Sequence, residues 1–205
     1  MKLFLFTSLL LFSFNLFSQK KLPTKQIQII GGYCRHGSGD LNGVLFGAEY
    51  IKYLNRRMAF GFNLKGAIND GQETLIVNSP SGTTDNSIHF TTAGAQLGID
   101  GRYSLVRTAE HEFIVALGFF GRYQSASPPG GYSLYFPSQT SVPYILVGFL
   151  NNGFKRETFA VGGLFQIQYN YTIKNKVSIG IQPGFQTDTN GDVIPHVVLT
   201  IGRRF

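Results

Sequence analysis

Residues 158–171 read Thr-Phe-Ala-Val-Gly-Gly-Leu-Phe-Gln-Ile-Gln-Tyr-Asn-Tyr. Phe159, Val161, Phe165, Ile167, Tyr169 and Tyr171 fall on one side of a two-residue period. Ala160, Gly162, Gln166, Gln168 and Asn170 fall on the other. That alternation is the signature of a strand with two unlike faces. Two further segments repeat it downstream. Val177, Ile179, Ile181, Pro183 and Phe185 alternate with Ser178, Gly180, Gln182, Gly184 and Gln186. Val197, Leu199, Ile201 and Phe205 alternate with His196, Thr200, Gly202 and Arg204.

Upstream the pattern is noisier but continues, with Gly, Asn, Asp or Pro clusters between segments. Ile27 and Ile29 stand against Gln26 and Gln28, and Leu97, Ile99 and Tyr103 against Gln96, Asp100 and Arg102. Eight strands are predicted, over about 26–34, 43–54, 58–69, 88–105, 112–123, 158–172, 177–187 and 193–205. A soluble sandwich turns its apolar face inward, whereas a membrane barrel turns it toward lipid and encloses the polar one. The polar face here is mainly Gly, Ser, Asn and Gln with a few charges, too few for a sheet washed by water. Aromatic residues stand near predicted strand ends (Tyr33, Tyr53, Phe90, Tyr103, Tyr123, Tyr171, Phe205), where membrane-interface girdles sit. Connections alternate between short turns (Arg56-Arg57, 106–111, Lys174–Lys176) and long loops at about 70–87 and 124–157. The expectation is an all-β fold: a closed, up-and-down, antiparallel eight-stranded transmembrane β-barrel. Closure follows because hydrocarbon offers no partner to a bare sheet edge.

Composition agrees. Of 205 residues, 43% are hydrophobic and 14% charged, with 19 Phe, 10 Tyr, no Trp and one Cys; soluble domains run near 25% charged. A lone cysteine excludes a disulfide framework and a Cys-rich zinc site. The net charge of +7 is spread along the chain rather than gathered on one arm, so no nucleic-acid partner is expected. Met1-Lys2 followed by the apolar run Leu3–Phe17 is too short to span a bilayer comfortably but suits an export signal, assigned to 1–19, with the barrel domain at 20–205. Phe17-Ser18-Gln19 lacks the usual small-residue cleavage pattern. No cysteine stands at that junction, so no lipid anchor is expected. After Phe17 no apolar run of about eighteen residues exists, which excludes a helical membrane protein beyond that point.

On these features the chain resembles small eight-stranded outer-membrane barrels of the OmpA/OmpX type, in particular those of Bacteroidetes, whose signal peptides often end in Ser-Gln. The resemblance covers about 26–205 and is most specific in the last strand, Val197–Phe205. There Leu199, Ile201 and the terminal aromatic Phe205 look like the signal read by the barrel-assembly machinery; Arg203 departs from the usual apolar choice. The resemblance implies export by a cleaved signal peptide to the outer membrane of a Gram-negative bacterium, with outer-membrane lipid and that machinery as partners. Fold alone licenses no activity.

Three sets of residues carry candidate chemistry. The first is a lumen network of Glu49, Lys65, Asp100, Arg102, Arg122 and Arg204. If the turn pairs Leu54 with Met58, Gly47 faces Lys65 and Glu49 faces Asn63, which puts Glu49 and Lys65 on a diagonal within reach of each other. An ion path and a structural polar plug both fit; the plug is the reading adopted. The second set is His36, Ser38, Asp40, Asp188, Asp192 and His196. Barrel closure would gather these on the external rim as a Ser/His/Asp array able to hydrolyse lipid. Gly37-Ser38-Gly39-Asp40 and Thr189-Asn190-Gly191-Asp192 are equally ordinary turn chemistry, so no catalytic residue is assigned. Cys34, His36 and His196 could hold a metal, but neither metal nor cofactor is expected. The third set is Tyr132, Tyr135, Phe136 and Tyr144, in the loop 124–157, as contacts for an unidentified extracellular ligand or protein. Within that loop the apolar run Val142–Leu150 is expected to form an extended ribbon outside the membrane or a flap over the barrel mouth, since a ninth spanning strand would break the even count. The function expected is non-enzymatic, structural or surface-interacting, with a narrow solute pore and a rim lipid hydrolase as alternatives.

Overall fold

The computed structural model describes residues 22–37, 41–74, 76–79, 82–85, 87–127, 132–136, 146–149, 156–174 and 176–205. Among these residues twelve strands run in chain order: β1 (Lys25–His36), β2 (Leu41–Tyr53), β3 (Met58–Glu73), β4 (Ile76–Ser79), β5 (Gly82–Asp85), β6 (Ile88–Arg107), β7 (His111–Ala126), β8 (Tyr132–Tyr135), β9 (Leu146–Phe149), β10 (Arg156–Ile173), β11 (Val177–Asp188) and β12 (Val193–Arg204). Eight of them close into an antiparallel barrel in the order β1-β12-β11-β10-β7-β6-β3-β2. The seam pairs Gln26 with Arg204 through to Cys34 with His196, so no edge is left open. The shortest barrel strands have 12 residues. That is about 40 Å of strand, or about 30 Å along the axis at the tilt of about 40° that barrel closure imposes. An apolar band about 25 Å tall fits within it.

Short turns close one end of the barrel through local side-chain acceptors. Asn55 Oδ1 accepts hydrogen bonds from the Arg57 and Met58 amides, at 2.8 and 2.7 Å, and the Leu54 amide donates to the Met58 carbonyl, the predicted pairing. Thr108 Oγ1 accepts from the His111 amide at 2.8 Å. At the other end Asp188 Oδ1 accepts from the Asn190 amide at 2.9 Å, and Gly191 takes φ 82°, which only glycine adopts freely.

Outside the barrel ring, β4 pairs with β5 and β8 with β9 as two separate hairpins. The run Val142–Leu150 therefore contributes β9 to a ribbon apart from the barrel, and the ring keeps eight strands. The barrel strands also run into both long loops. β3 and β6 stay paired out to Glu73 and Ile88, and β7 and β10 out to Ala126 and Arg156.

The two faces divide as the alternation requires. Ile29, Leu97, Phe119, Phe159 and Leu199 point outward at 61–71% exposure. An apolar exterior this continuous is far larger than soluble monomers carry. Gln26, Gln28, Glu49, Lys65, Asn170 and Gln182 point inward and are fully buried. Two expectations need correction. Tyr53 and Phe90 are no girdle residues: Tyr53 shares its face with Glu49 and Ile51 and is buried in the lumen, and Phe90 turns inward beside Leu41 at the opposite end. The inner face is also less uniformly polar than its Gly/Asn/Gln content implies. Ile30, Cys34, Leu45, Ile194 and Val198 pack together inside as an apolar cluster, because those strands place a large aliphatic residue in the inward position toward one end.

Candidate functional site

The lumen is filled by three tiers of charge. Lowest, near the short turns, Glu112 takes Arg204, an Arg107 contact at 3.3 Å, the Tyr53 hydroxyl at 2.9 Å and the Ser104 hydroxyl at 2.7 Å. Arg107 lies over the Tyr53 ring, 3.4 Å from its centroid, and donates to the Pro23 carbonyl at 2.6 Å, which fastens the chain entering β1. Arg204 Nε donates to Gln26 Oε1 at 3.0 Å.

In the middle tier Glu49 is the hub. Its Oε1 meets Lys65 Nζ at 3.0 Å, and its Oε2 meets Arg102 Nη2 and Gln28 Nε2, both at 2.7 Å. Arg102 also grips Asp100, to which Asn63 donates at 3.1 Å. The register Gly47 to Lys65 and Glu49 to Asn63 is the one the turn predicted, so the Glu49–Lys65 diagonal forms as expected. Gly61 makes room for this tier: a Cβ there would press on the Asp100 carboxylate and lie 2.7 Å from Arg102 Nε.

Uppermost, Arg122 is held by Asp188 and by Asp192, the latter at 3.3 Å. Asp192 also meets His36 Nε2 at 3.3 Å, and His36 Nε2 lies 3.1 Å from Gln124 Oε1. The apolar cluster around Leu45 and Val198 shares this half of the lumen.

Buried charge is tolerated only when paired. Lys65, Arg102, Arg107, Arg122 and Arg204 each touch at least one of Glu49, Asp100, Glu112, Asp188 and Asp192. These cations and carboxylates are equal in number, so the lumen adds no net charge. All six predicted lumen residues lie inside; the sequence reading missed Arg107, Glu112 and Tyr53. Inward parity would have found Tyr53 and Glu112, since Tyr53 follows the inward Ile51 by two and Glu112 precedes the inward Ile114 by two. Arg107 was hidden by a register shift between Ser104 and Val106, which turns both Leu105 and Val106 outward and returns Arg107 to the inside.

At the external rim, closure brings His36 against Asp192 as expected. The Asp192 carboxylate is shared with Arg122, while His196 Nδ1 faces the Ile194 carbonyl at 3.4 Å. Ser38 and Asp40 lie outside the described residues. No group of three or more potential metal ligands occurs among the described residues. Above this tier a cup of about 310 Å³ opens, lined by His36, Leu41, Phe90, Gln124, Arg156 and Asp192 among others. In the external hairpins Tyr135 and Phe136 are about half exposed. The backbone of Tyr132 is in β8 with its side chain undescribed, and Tyr144 is outside the described residues. Leu199, Ile201 and Phe205 all face outward. In the outer hairpin Ser87 donates to Asp85 Oδ1 from its hydroxyl (2.6 Å) and amide (3.0 Å), holding the Asp85 carboxyl below its usual range.

A closed antiparallel eight-stranded ring with an apolar exterior and a charge-paired interior is the fold that small outer-membrane β-barrels adopt. Among solved structures the chain is similar to Neisserial surface protein A, NspA, at 8% identity over 88% of this chain and 97% of that one, with a TM-score of 0.58. It is also similar to Ail, the attachment invasion locus protein of Yersinia pestis, in complex with the heparin analogue sucrose octasulfate (12%, 90% and 100%, TM-score 0.53). A third likeness is to the N-terminal β-barrel domain of Pseudomonas aeruginosa OprF (10%, 89% and 99%, TM-score 0.51). At these identities the likeness is one of fold. No protein-family model and no curated protein matches the chain.

Proposed function

We propose that this protein is an outer-membrane barrel of a Gram-negative bacterium, exported by a cleaved signal peptide at 1–19, whose lumen is a structural plug and whose work is done on its external surface. The single observation behind this reading is the lumen's pairing. Each buried cation named above is matched to a carboxylate, and the apolar cluster of Ile30, Leu45, Ile194 and Val198 adds a dry layer. An eight-stranded ring is just wide enough for side chains to fill, and here they fill it with cations set against carboxylates. Conduction would require several ion pairs to break at once. The external cup and the half-exposed Tyr135 and Phe136 are the surfaces offered to an extracellular partner, giving a non-enzymatic, structural or surface-interacting role. The last strand, with Leu199, Ile201 and Phe205 outward, is the segment offered to the barrel-assembly machinery.

Conductance of the refolded protein in planar bilayers tests the plug. Near-zero conductance is expected; a steady open channel would refute it and favour the pore. For the surface role, deleting 128–155 while keeping the barrel strands should abolish partner binding and leave the barrel folded. Binding that survives the deletion would move the interaction elsewhere.

A further inference from the structure

Among the described residues the excess positive charge lies outside the lumen, and it is gathered at one end. Lys25 on β1 and Lys52 on β2 are direct cross-strand partners, both pointing outward and exposed. On the other side of β1, Arg203 of β12 is paired with Ile27, so it stands diagonal to Lys25, and it too points outward. Lys176 follows at the head of β11, where Val177 pairs with Arg203. These four cations form one band across β2, β1, β12 and β11, four adjacent staves of the ring. Glu110, the exposed acid described at this end, sits in the β6–β7 turn on the far side of the barrel. The opposite end instead mixes Arg35 and Arg156 with Asp70, Asp85 and Glu157.

Like charges placed directly opposite on a sheet repel, so Lys25 against Lys52 is a costly arrangement unless an anion lies between them. Immediately beyond the band the same outward face becomes apolar, with Ile27, Ile29, Ile179 and Ile201 about half exposed. A molecule that satisfies both halves carries a negative headgroup on hydrocarbon tails. We propose that this band binds the phosphate headgroups of anionic phospholipids in the leaflet at the short-turn end of the barrel. This rests on the membrane-spanning reading above and adds to it a leaflet and a headgroup.

The test is native mass spectrometry of the refolded barrel in detergent micelles doped equally with phosphatidylglycerol and phosphatidylcholine of the same acyl chains. The wild type should retain phosphatidylglycerol severalfold over phosphatidylcholine. A Lys25→Gln/Lys52→Gln/Arg203→Gln variant should lose about tenfold or more of that preference, whereas Arg35→Gln/Arg156→Gln should keep it. No preference in the wild type, or an equal loss in both variants, overturns the proposal. Should the triple variant fail to fold, salt decides on the wild type. Near 1 M, where screening acts within about 3 Å, the preference should collapse, and an unmoved preference overturns the proposal. Protease protection in vesicles of each lipid separates the two readings. A barrel that enters neither vesicle fails the membrane assignment, while one that enters both without preference fails only the headgroup site. Co-sedimentation with isolated peptidoglycan in place of lipid preference would give the band to the cell wall and overturn the proposal as well.

Discussion

Replacing Glu49 with glutamine is the sharpest perturbation of the lumen. The side chain keeps its size, but one carboxylate oxygen becomes an amide that donates. Both native oxygens face donors: Lys65 at 3.0 Å and Gln182 at 3.3 Å on Oε1, Arg102 and Gln28 at 2.7 Å on Oε2. Either orientation of the new amide sets a donor against two donors. Arg102 retains Asp100. Lys65 is left with the neutral Gln166 carbonyl at 3.3 Å. Removing one partner of a buried pair costs about 3–5 kcal/mol. Urea unfolding in lipid vesicles, followed by far-ultraviolet circular dichroism because the chain has no Trp, reads the loss. Adding Lys65→Met to Glu49→Gln should recover part of it, since the orphaned charge is then gone. A loss below about 1 kcal/mol, or a double variant as unstable as the sum of the singles, would refute the hub assignment.

Phe119→Arg places a cation on the outward face and should cost about 2–4 kcal/mol in lipid; improved solubility with no loss of stability would mean that face meets water. Tyr53→Phe removes the hydroxyl bond to Glu112 and should cost about 1.5–3 kcal/mol, seen as a lower urea midpoint. Tyr103→Phe, on the outer face, should shift that midpoint far less. Gly61→Ala drives a Cβ into the Asp100–Arg102 pair and should cost about 1–3 kcal/mol, read as a lowered temperature for losing the compact band in SDS gels; an unchanged temperature would mean that the pair has slack. Asp85, fully exposed in the outer hairpin, has its pKa depressed by the Ser87 bonds. The bond to its charged form is therefore present above the unfolded-state pKa and fades as pH falls through the folded one. Ser87→Ala should move the Asp85 titration upward by carbon NMR, and an unmoved midpoint would exclude the hydroxyl as the cause.

Strand placement was legible because each strand here has two chemically unlike faces. In a segment such as Val177–Phe185 the two-residue period survives any tertiary context, and wherever lipid lies on one side a shift of one residue would expose every Gln to it. The Glu49–Lys65 contact was legible for a related reason: a tight turn pairing Leu54 with Met58 sets the register of both strands it joins. The lower tier was not legible. Glu112 gathers Arg107 and Ser104 from β6, Arg204 from β12 and Tyr53 from β2, and their meeting depends on closure between the first and last strands and on the curvature of the ring.

Local alternation, turn chemistry and the scarcity of charge therefore determined by themselves that eight strands form, which face each presents and roughly where each ends. These are properties of neighbours in the chain. Which charges meet across the lumen, the return of Arg107 to the interior through the shift after Ser104, and the apolar cluster of Leu45 and Val198 were decided only by the closed barrel. A diameter, a stagger and a bulge belong to the ring as a whole, and no single strand carries them.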